Sequence, residues 1–200
     1  MNKNIGMIAS IVTFAGVAGF AVSMLTGNLF GSYLTSMLIA WGFVTLICSF
    51  AAFNAGETHA AGYTAVAFAA VYAAIIVLVY FAQLTTVRQA ALSEEAAQLL
   101  DYQKFGLFFN YDLLGYSFMA LSTFFIGLTV RAENKADRWL KALLLVHGIF
   151  AVTCVAMPII GVFGANTPDG DKTGTWVLLF WCAYFIPICI LSWRHFKLKA

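Results

Sequence analysis

The sequence predicts an all-α bundle of six membrane-spanning helices. Six long apolar stretches are separated by short polar breaks. Hydrophobic residues make up 62% of the chain and charged residues only 10%, whereas a soluble domain contains about 45–50% apolar and about 25% charged residues. Both fractions indicate a chain that has lipid as its solvent. Because the breaks are short, we expect a single domain over residues 1–200.

Each apolar stretch is long enough to cross a bilayer. A hydrocarbon core ~30 Å thick requires about 20 helical residues at a rise of 1.5 Å per residue. The first stretch exceeds the apolar region of a secretory signal peptide and leads straight into the second, so we expect it to be a retained helix. The six predicted spans are residues 5–25, 33–53, 63–85, 106–130, 139–163 and 176–193.

The third span carries a small residue at every fourth position, namely Ala61, Ala65, Ala69 and Ala73. Small residues at this spacing let helix backbones approach closely within a membrane. We expect this face to pack inside the bundle. The alternative is that it binds a partner subunit or a second copy of the chain.

The connector after the third span contains a helix signal of its own. Ser93 precedes Glu94 and Glu95, a pattern typical of an N-cap followed by acids in the first turn. We therefore expect a short interfacial helix near residues 93–104, with its apolar side toward lipid or the bundle. The alternative is a lid over an opening.

Lysine and arginine residues predict the orientation, because they accumulate in cytoplasmic loops. With the N-terminus inside, eight of the eleven positive residues lie on the cytoplasmic side and three on the outer side. Both ends of the chain are then cytoplasmic, and we expect the protein in a bacterial cytoplasmic membrane. The inner set is Lys3, Arg131, Lys135, Arg138, Lys141, Arg194, Lys197 and Lys199, and the outer set is Arg88, Lys104 and Lys172.

Polar residues within spans are the candidate functional groups, because they are costly in lipid. Asp112, early in the fourth span, has two interpretations: an N-cap, if the helix begins at Leu113, or an acid facing a water-filled outward cavity with Asn110 and Tyr111 as co-ligands. His147, near the middle of the fifth span, either joins helices by hydrogen bonds or binds a ligand. The predicted ligand-binding residues are His147, Asp112, Asn110, Tyr72, Tyr116 and Trp41.

Asp112 and His147 enter from opposite sides, and we expect about 15 Å between their depths at 1.5 Å per helical residue. They therefore cannot form a direct acid–histidine pair. They can belong to one polar track with hydroxyls between them, the candidates being Ser117, Ser122 and Thr123.

Three functions remain open at this point. The first is a small-molecule binding or transport protein with a pocket between helices. The second is an accessory or assembly subunit of a membrane complex, and the third is an enzyme acting on a lipid or amphipathic substrate. No catalytic motif such as Gly-x-Ser-x-Gly or His-Glu-x-x-His is present, so we assign no catalytic residue. The sequence identifies no cofactor and no metal site, and its net charge of +2 gives no reason to expect nucleic acid as a partner.

Overall fold

A computed structural model describes residues 2–53, 58–89, 91–163 and 170–198, with side chains in the last range from residue 174 onward. Regular structure in these residues is entirely helical. The eight α-helices are α1 Asn2–Leu25, α2 Leu29–Phe53, α3 His59–Ala82, α4 Glu94–Leu100, α5 Leu107–Thr129, α6 Lys135–His147, α7 Ile149–Ile159 and α8 Gly170–Leu198. A π-helical turn, Gln83–Val87, prolongs α3, and a 3₁₀ turn, Tyr102–Lys104, follows α4.

The prediction of six spans is confirmed. Six helical segments are long and apolar enough to cross a membrane, so the chain is an integral membrane protein. The segments are Asn2–Leu25, Leu29–Phe53, His59–Val87, Leu107–Thr129, Lys135–Ile159 and Gly174–Leu198. Most start earlier than predicted, because polar residues at a helix end lower the hydropathy without breaking the helix.

The helices form a closed ring. Around the bundle, α1 packs between α8 and α2, α3 packs between α2 and α5, and α6 contacts both α5 and α8. The tight turn between α1 and α2 uses Gly27 in the left-handed region, with φ 66°, a conformation that glycine adopts without steric cost. The Asn28 side chain then accepts a hydrogen bond from the Gly31 amide at 3.0 Å and starts α2.

The small-residue face of α3 packs within the chain. Ala65 and Ala69 are completely buried, and α3 makes its most extensive contacts with α5. The backbones approach closely enough for the Ser122 hydroxyl on α5 to donate to the Ala65 carbonyl oxygen at 2.8 Å. This face is therefore occupied by the chain's own helices. Binding of a partner subunit or a second copy of the chain stays a prediction, and the packing of this face does not support it.

The short connector helix is present. In α4 the Ser93 hydroxyl accepts a hydrogen bond from the Ala96 amide at 3.3 Å, so Ser93 is the N-cap that the sequence indicated. The helix ends at Leu100, before the 3₁₀ turn.

The fifth span is broken near its middle, which the sequence did not indicate. α6 ends at His147 and α7 begins at Ile149, with Gly148 between them. α7 has no buried residue, so this half of the span lies on the periphery of the bundle. α6 contributes the buried side chains of the span, including Leu140, Leu144 and His147.

Candidate functional site

The structure separates the six predicted site residues into two groups. Trp41 is 52% exposed on the outside of α2, and Asn110 is also exposed. Neither contributes to the interior. The four buried ones are Tyr72, Asp112, Tyr116 and His147.

The interpretation of Asp112 as an N-cap is wrong. α5 begins at Leu107 with Gly106 at the N-cap position, so Asp112 is the sixth residue of the helix. Its backbone is therefore inside the helix, and its side chain, in a residue only 1% exposed, points into the bundle rather than to the helix end. The helix starts early because Leu107, Phe108 and Phe109 extend its apolar face.

The Asp112 carboxyl is met by two tyrosine hydroxyls. The Tyr102 hydroxyl donates to Asp112 Oδ2 at 3.2 Å, and the Tyr80 hydroxyl from α3 lies beside the same carboxyl. Burial raises the pKa of Tyr102 well above its usual range, and the nearby Asp112 carboxyl adds to this shift. Tyr102 is therefore a neutral hydrogen-bond donor at physiological pH.

Gln83 places Tyr102 in this position. Its side-chain amide donates to the Leu100 carbonyl oxygen at 2.7 Å, and its side-chain oxygen accepts from the Tyr102 amide at 3.0 Å. The buried Gln83 side chain at the end of α3 thus forms hydrogen bonds with the backbone on both sides of Asp101, where α4 leads into the 3₁₀ turn. No local sequence pattern indicates these two contacts, which join Gln83 to residues 17 and 19 positions later in the chain.

Gly106 is required by a close approach in the same connector. A Cβ atom at this position would overlap the carbonyl oxygen of Gln98. Only glycine lets the chain pass so close to α4 and then turn into α5. The connector is therefore in close contact with the start of α5 at this point.

Four aromatic rings, two of them from the tyrosines at the Asp112 carboxyl, pack against one another at this end of the bundle. The Tyr33 and Tyr80 ring centroids are 5.5 Å apart, those of Tyr80 and Tyr102 are 5.8 Å apart, and those of Tyr102 and Phe109 are 5.1 Å apart. These rings come from α2, α3, the 3₁₀ turn and α5. We call this group the tyrosine cluster: Tyr33, Tyr80, Tyr102 and Phe109.

A cavity of about 230 Å³ adjoins the tyrosine cluster. It lies at the end of the bundle that carries the α1–α2 turn, the connector and the beginning of the last span. None of the described residues that line it is charged. Its aromatic lining residues are Phe20, Tyr33, Tyr80, Tyr102, Phe105 and Phe109, and its polar ones include Ser23, Asn28, Ser32, Gln103 and Thr175.

Three buried polar atoms near this site have no hydrogen-bond partner among the described residues. They are Asp112 Oδ1 and the hydroxyl oxygens of Tyr72 and Tyr116. The Tyr72 and Tyr116 ring centroids are 5.7 Å apart. Buried polar groups are nearly always paired with protein or with ordered water, and Tyr72 and Tyr116 are close enough to interact with each other. Asp112 Oδ1 therefore has the clearest remaining capacity to accept a hydrogen bond.

His147 lies in a different environment, because both of its ring nitrogens are bonded. The Trp181 indole donates to Nε2 at 3.0 Å, and Nδ1 lies 2.8 Å from Thr123 Oγ1. An indole N–H can only donate, so Nε2 accepts and the proton of the neutral imidazole lies on Nδ1. That proton is donated to Thr123, whose own hydroxyl donates to the Ala120 carbonyl oxygen at 2.8 Å.

Trp181 connects the two regions. Its indole bonds to His147, and its ring centroid is 5.3 Å from that of Tyr116. Of the three hydroxyls proposed for a polar track, only Thr123 contacts His147. The other two donate to backbone carbonyl oxygens, Ser117 to Leu114 and Ser122 to Ala65.

A buried acid–histidine pair at the opposite end was missed by the sequence reasoning. Asp137 Oδ1 is 2.7 Å from His195 Nδ1, and these residues are 2% and 1% exposed. Asp137 Oδ2 accepts from the Asn134 side chain at 2.8 Å, while Asn134 caps α6 by accepting from the Asp137 amide. The pattern Asn-x-x-Asp at the start of α6 is a signal for the helix cap, but it does not indicate that Asp137 pairs with His195.

Within the described ranges, no three side chains of His, Cys, Asp or Glu come together in an arrangement that would hold a metal ion. Comparison with protein-family models, with curated proteins and with solved structures finds no match to this chain. Its function therefore has to be argued from its own residues.

Proposed function

We propose that the protein is a membrane-embedded small-molecule binding or transport protein that uses the cavity beside the tyrosine cluster. The observation that carries this proposal is the combination of an aromatic cavity with an incompletely paired buried acid, Asp112, directly behind its wall. Ligand sites are concave, mostly apolar and contain few polar groups. An intramembrane acid is a functional candidate by default.

The distribution of positive charge supports an orientation with this cavity on the outer side of a bacterial cytoplasmic membrane. Gly6, near the start of the chain, packs against the ring of Phe196, near its end. A Cβ atom at Gly6 would lie only 2.8 Å from that ring. Both ends thus lie at the opposite end of the bundle from the cavity. The eight-to-three excess of Lys and Arg favours a cytoplasmic location for that end.

His147 has a weaker claim to ligand binding. Its two nitrogens already join α6 to α5 and α8, which accounts for its polarity without a ligand. Asp112 and His147 also have different hydrogen-bond partners, Tyr102 for the acid and Thr123 and Trp181 for the histidine. The enzyme hypothesis, which needed the two residues in acid–base roles, gains no support from this arrangement.

Native mass spectrometry of the purified protein tests the proposal directly. We expect a co-purified small molecule, or one acquired from a metabolite mixture, that is lost when the cavity is filled. Leu178 lines the cavity, so Leu178→Trp should abolish this binding. Leu128 is 41% exposed on α5, and Leu128→Trp is the matched control that should retain it.

Two results would contradict the proposal. The first is a folded wild-type protein that holds no small molecule under any condition. The second is a ligand that binds equally well to the Leu178→Trp protein, which would place its site elsewhere. An intact partner protein that co-purifies in place of a small molecule would favour the accessory-subunit function.

A further inference from the structure

We propose that the ligand of this cavity is a small organic cation, a quaternary or protonated amine, held by aromatic ring faces and by the negative charge of Asp112. This inference rests on the proposed function and adds the chemical class of the ligand. It follows from the aromatic lining of the cavity, from the incomplete hydrogen bonding of the Asp112 carboxyl and from the volume of the cavity.

The cavity wall is suited to a cation. Its lining includes six aromatic side chains, three of them tyrosines. The face of an aromatic ring is electron-rich, and a cation within about 6 Å of it gains roughly 0.5–2 kcal/mol, the larger value where water is excluded. Several rings around one space form the kind of cage that recognises ammonium groups.

The acid behind the wall can supply a charge of the matching sign. The Tyr102 hydroxyl touches Asp112 and its side chain lines the cavity, so only one layer of side chains separates the acid from the space. Among the described residues Asp112 forms no ion pair, and its Oδ1 has no hydrogen-bond partner. Arg88, a cation at this end of the bundle, has its guanidinium 4.9 Å from the centre of the Phe30 ring.

An isolated buried carboxylate is unstable unless it is neutralised or paired. A cationic ligand stabilises the ionised carboxyl by pairing with it, whereas an anionic ligand opposes its ionisation in a medium of low dielectric constant. A neutral ligand would leave the carboxyl as it is. The electrostatics therefore select for a cation among molecules that fit.

The volume limits the ligand to a small one. The cavity measures about 230 Å³, below the ~300–1,000 Å³ usual for drug-sized ligands. A tetramethylammonium or choline-sized group is appropriate to such a space, and a long amphipathic cation is not.

The experiment compares cations with neutral molecules of the same shape. Binding of choline, tetramethylammonium and methylammonium to the purified protein is measured by calorimetry, with 3,3-dimethylbutan-1-ol as the uncharged counterpart of choline. We expect at least one cation to bind at least tenfold more tightly than this alcohol. Asp112→Asn should remove that preference while leaving the weak affinity for the alcohol unchanged.

A second pair of variants keeps the test decisive if Asp112→Asn does not fold. Tyr80→Leu removes an aromatic wall and should weaken cation binding at least fivefold. Tyr63 lies on the same helix but is 71% exposed, so Tyr63→Leu should bind as wild type does.

The outcomes separate this inference from the proposed function. Equal affinity for choline and its neutral counterpart, or unchanged cation binding in Tyr80→Leu, overturns the cation assignment. A different result is that none of the three cations binds, while a neutral or anionic molecule binds to the wild-type protein and not to the Leu178→Trp protein. The cation assignment is then wrong and the proposed function stands. If nothing binds in either experiment, both fail.

Discussion

Replacing His147 with leucine should destabilise the bundle without affecting the cavity. The substitution removes the acceptor of the Trp181 indole and the donor to Thr123. The Thr123 hydroxyl keeps its bond to the Ala120 carbonyl oxygen. The principal cost is therefore the unpaired, buried N–H of Trp181.

The magnitude follows from that unpaired group. A buried donor without a partner costs about 1–3 kcal/mol, and we expect His147→Leu to lower the free energy of unfolding by an amount in this range. The interaction itself is worth less, since hydrogen bonds between membrane helices average about 0.6 kcal/mol and reach about 1.7 kcal/mol. A double-mutant cycle between His147→Leu and Trp181→Phe should return a coupling energy within that second range.

The assay is reversible unfolding in mixed micelles, followed by tryptophan fluorescence for variants that retain Trp181 and by circular dichroism for all. Val146 is 56% exposed, so Val146→Leu controls for a substitution at the neighbouring position. Additive losses for His147 and Trp181, with no measurable coupling, would refute the assigned hydrogen bond. Loss of cation binding in a folded, stable His147→Gln protein would return His147 to the ligand site.

Three further predictions concern the fold and its orientation. Ala69→Leu should lower the free energy of unfolding by about 1–3 kcal/mol, because the larger side chain overpacks the α3–α5 contact. Phe81→Leu, on the exposed side of α3, is the control, and an equal loss of stability in both variants would contradict the close approach of the helices. Gly106→Ala should lower the melting temperature by more than Phe81→Leu does, because its Cβ overlaps the Gln98 carbonyl. Single cysteines at Asn134 and Glu94, in a background without other cysteines, should react with impermeant reagents from opposite sides, Asn134 from the cytoplasm; labelling of both from one side would exclude the six-span topology.

The spans were predictable because membrane insertion depends on average hydropathy over about 20 residues, a property of each stretch taken alone. The connector helix was predictable for a similar reason, since Ser93 and the two acids after it form a local capping signal. The break at Gly148 was not predictable, because one glycine inside an apolar stretch is compatible with a continuous helix.

The hydrogen-bond partners were not predictable, since they depend on which helices become neighbours. Trp181 follows His147 by 34 positions, and His195 follows Asp137 by 58. The position of Asp112 depends in the same way on Tyr102, which Gln83 holds from 19 residues away. The N-cap was one of two interpretations that the sequence allowed for Asp112, and the start of α5 at Leu107 excludes it.

The two intramembrane polar residues that the sequence singled out differ in whether their bonding is complete. His147 has a hydrogen-bond partner for each ring nitrogen. Its polarity is therefore accounted for by the joining of helices, without a ligand. Among the described residues, Asp112 has hydroxyls at one oxygen and no partner at the other. The tyrosines that bond to it line a cavity. A polar group that folding leaves unsatisfied has free energy to gain from a ligand, and this difference is the physical reason for placing the function at Asp112 rather than at His147.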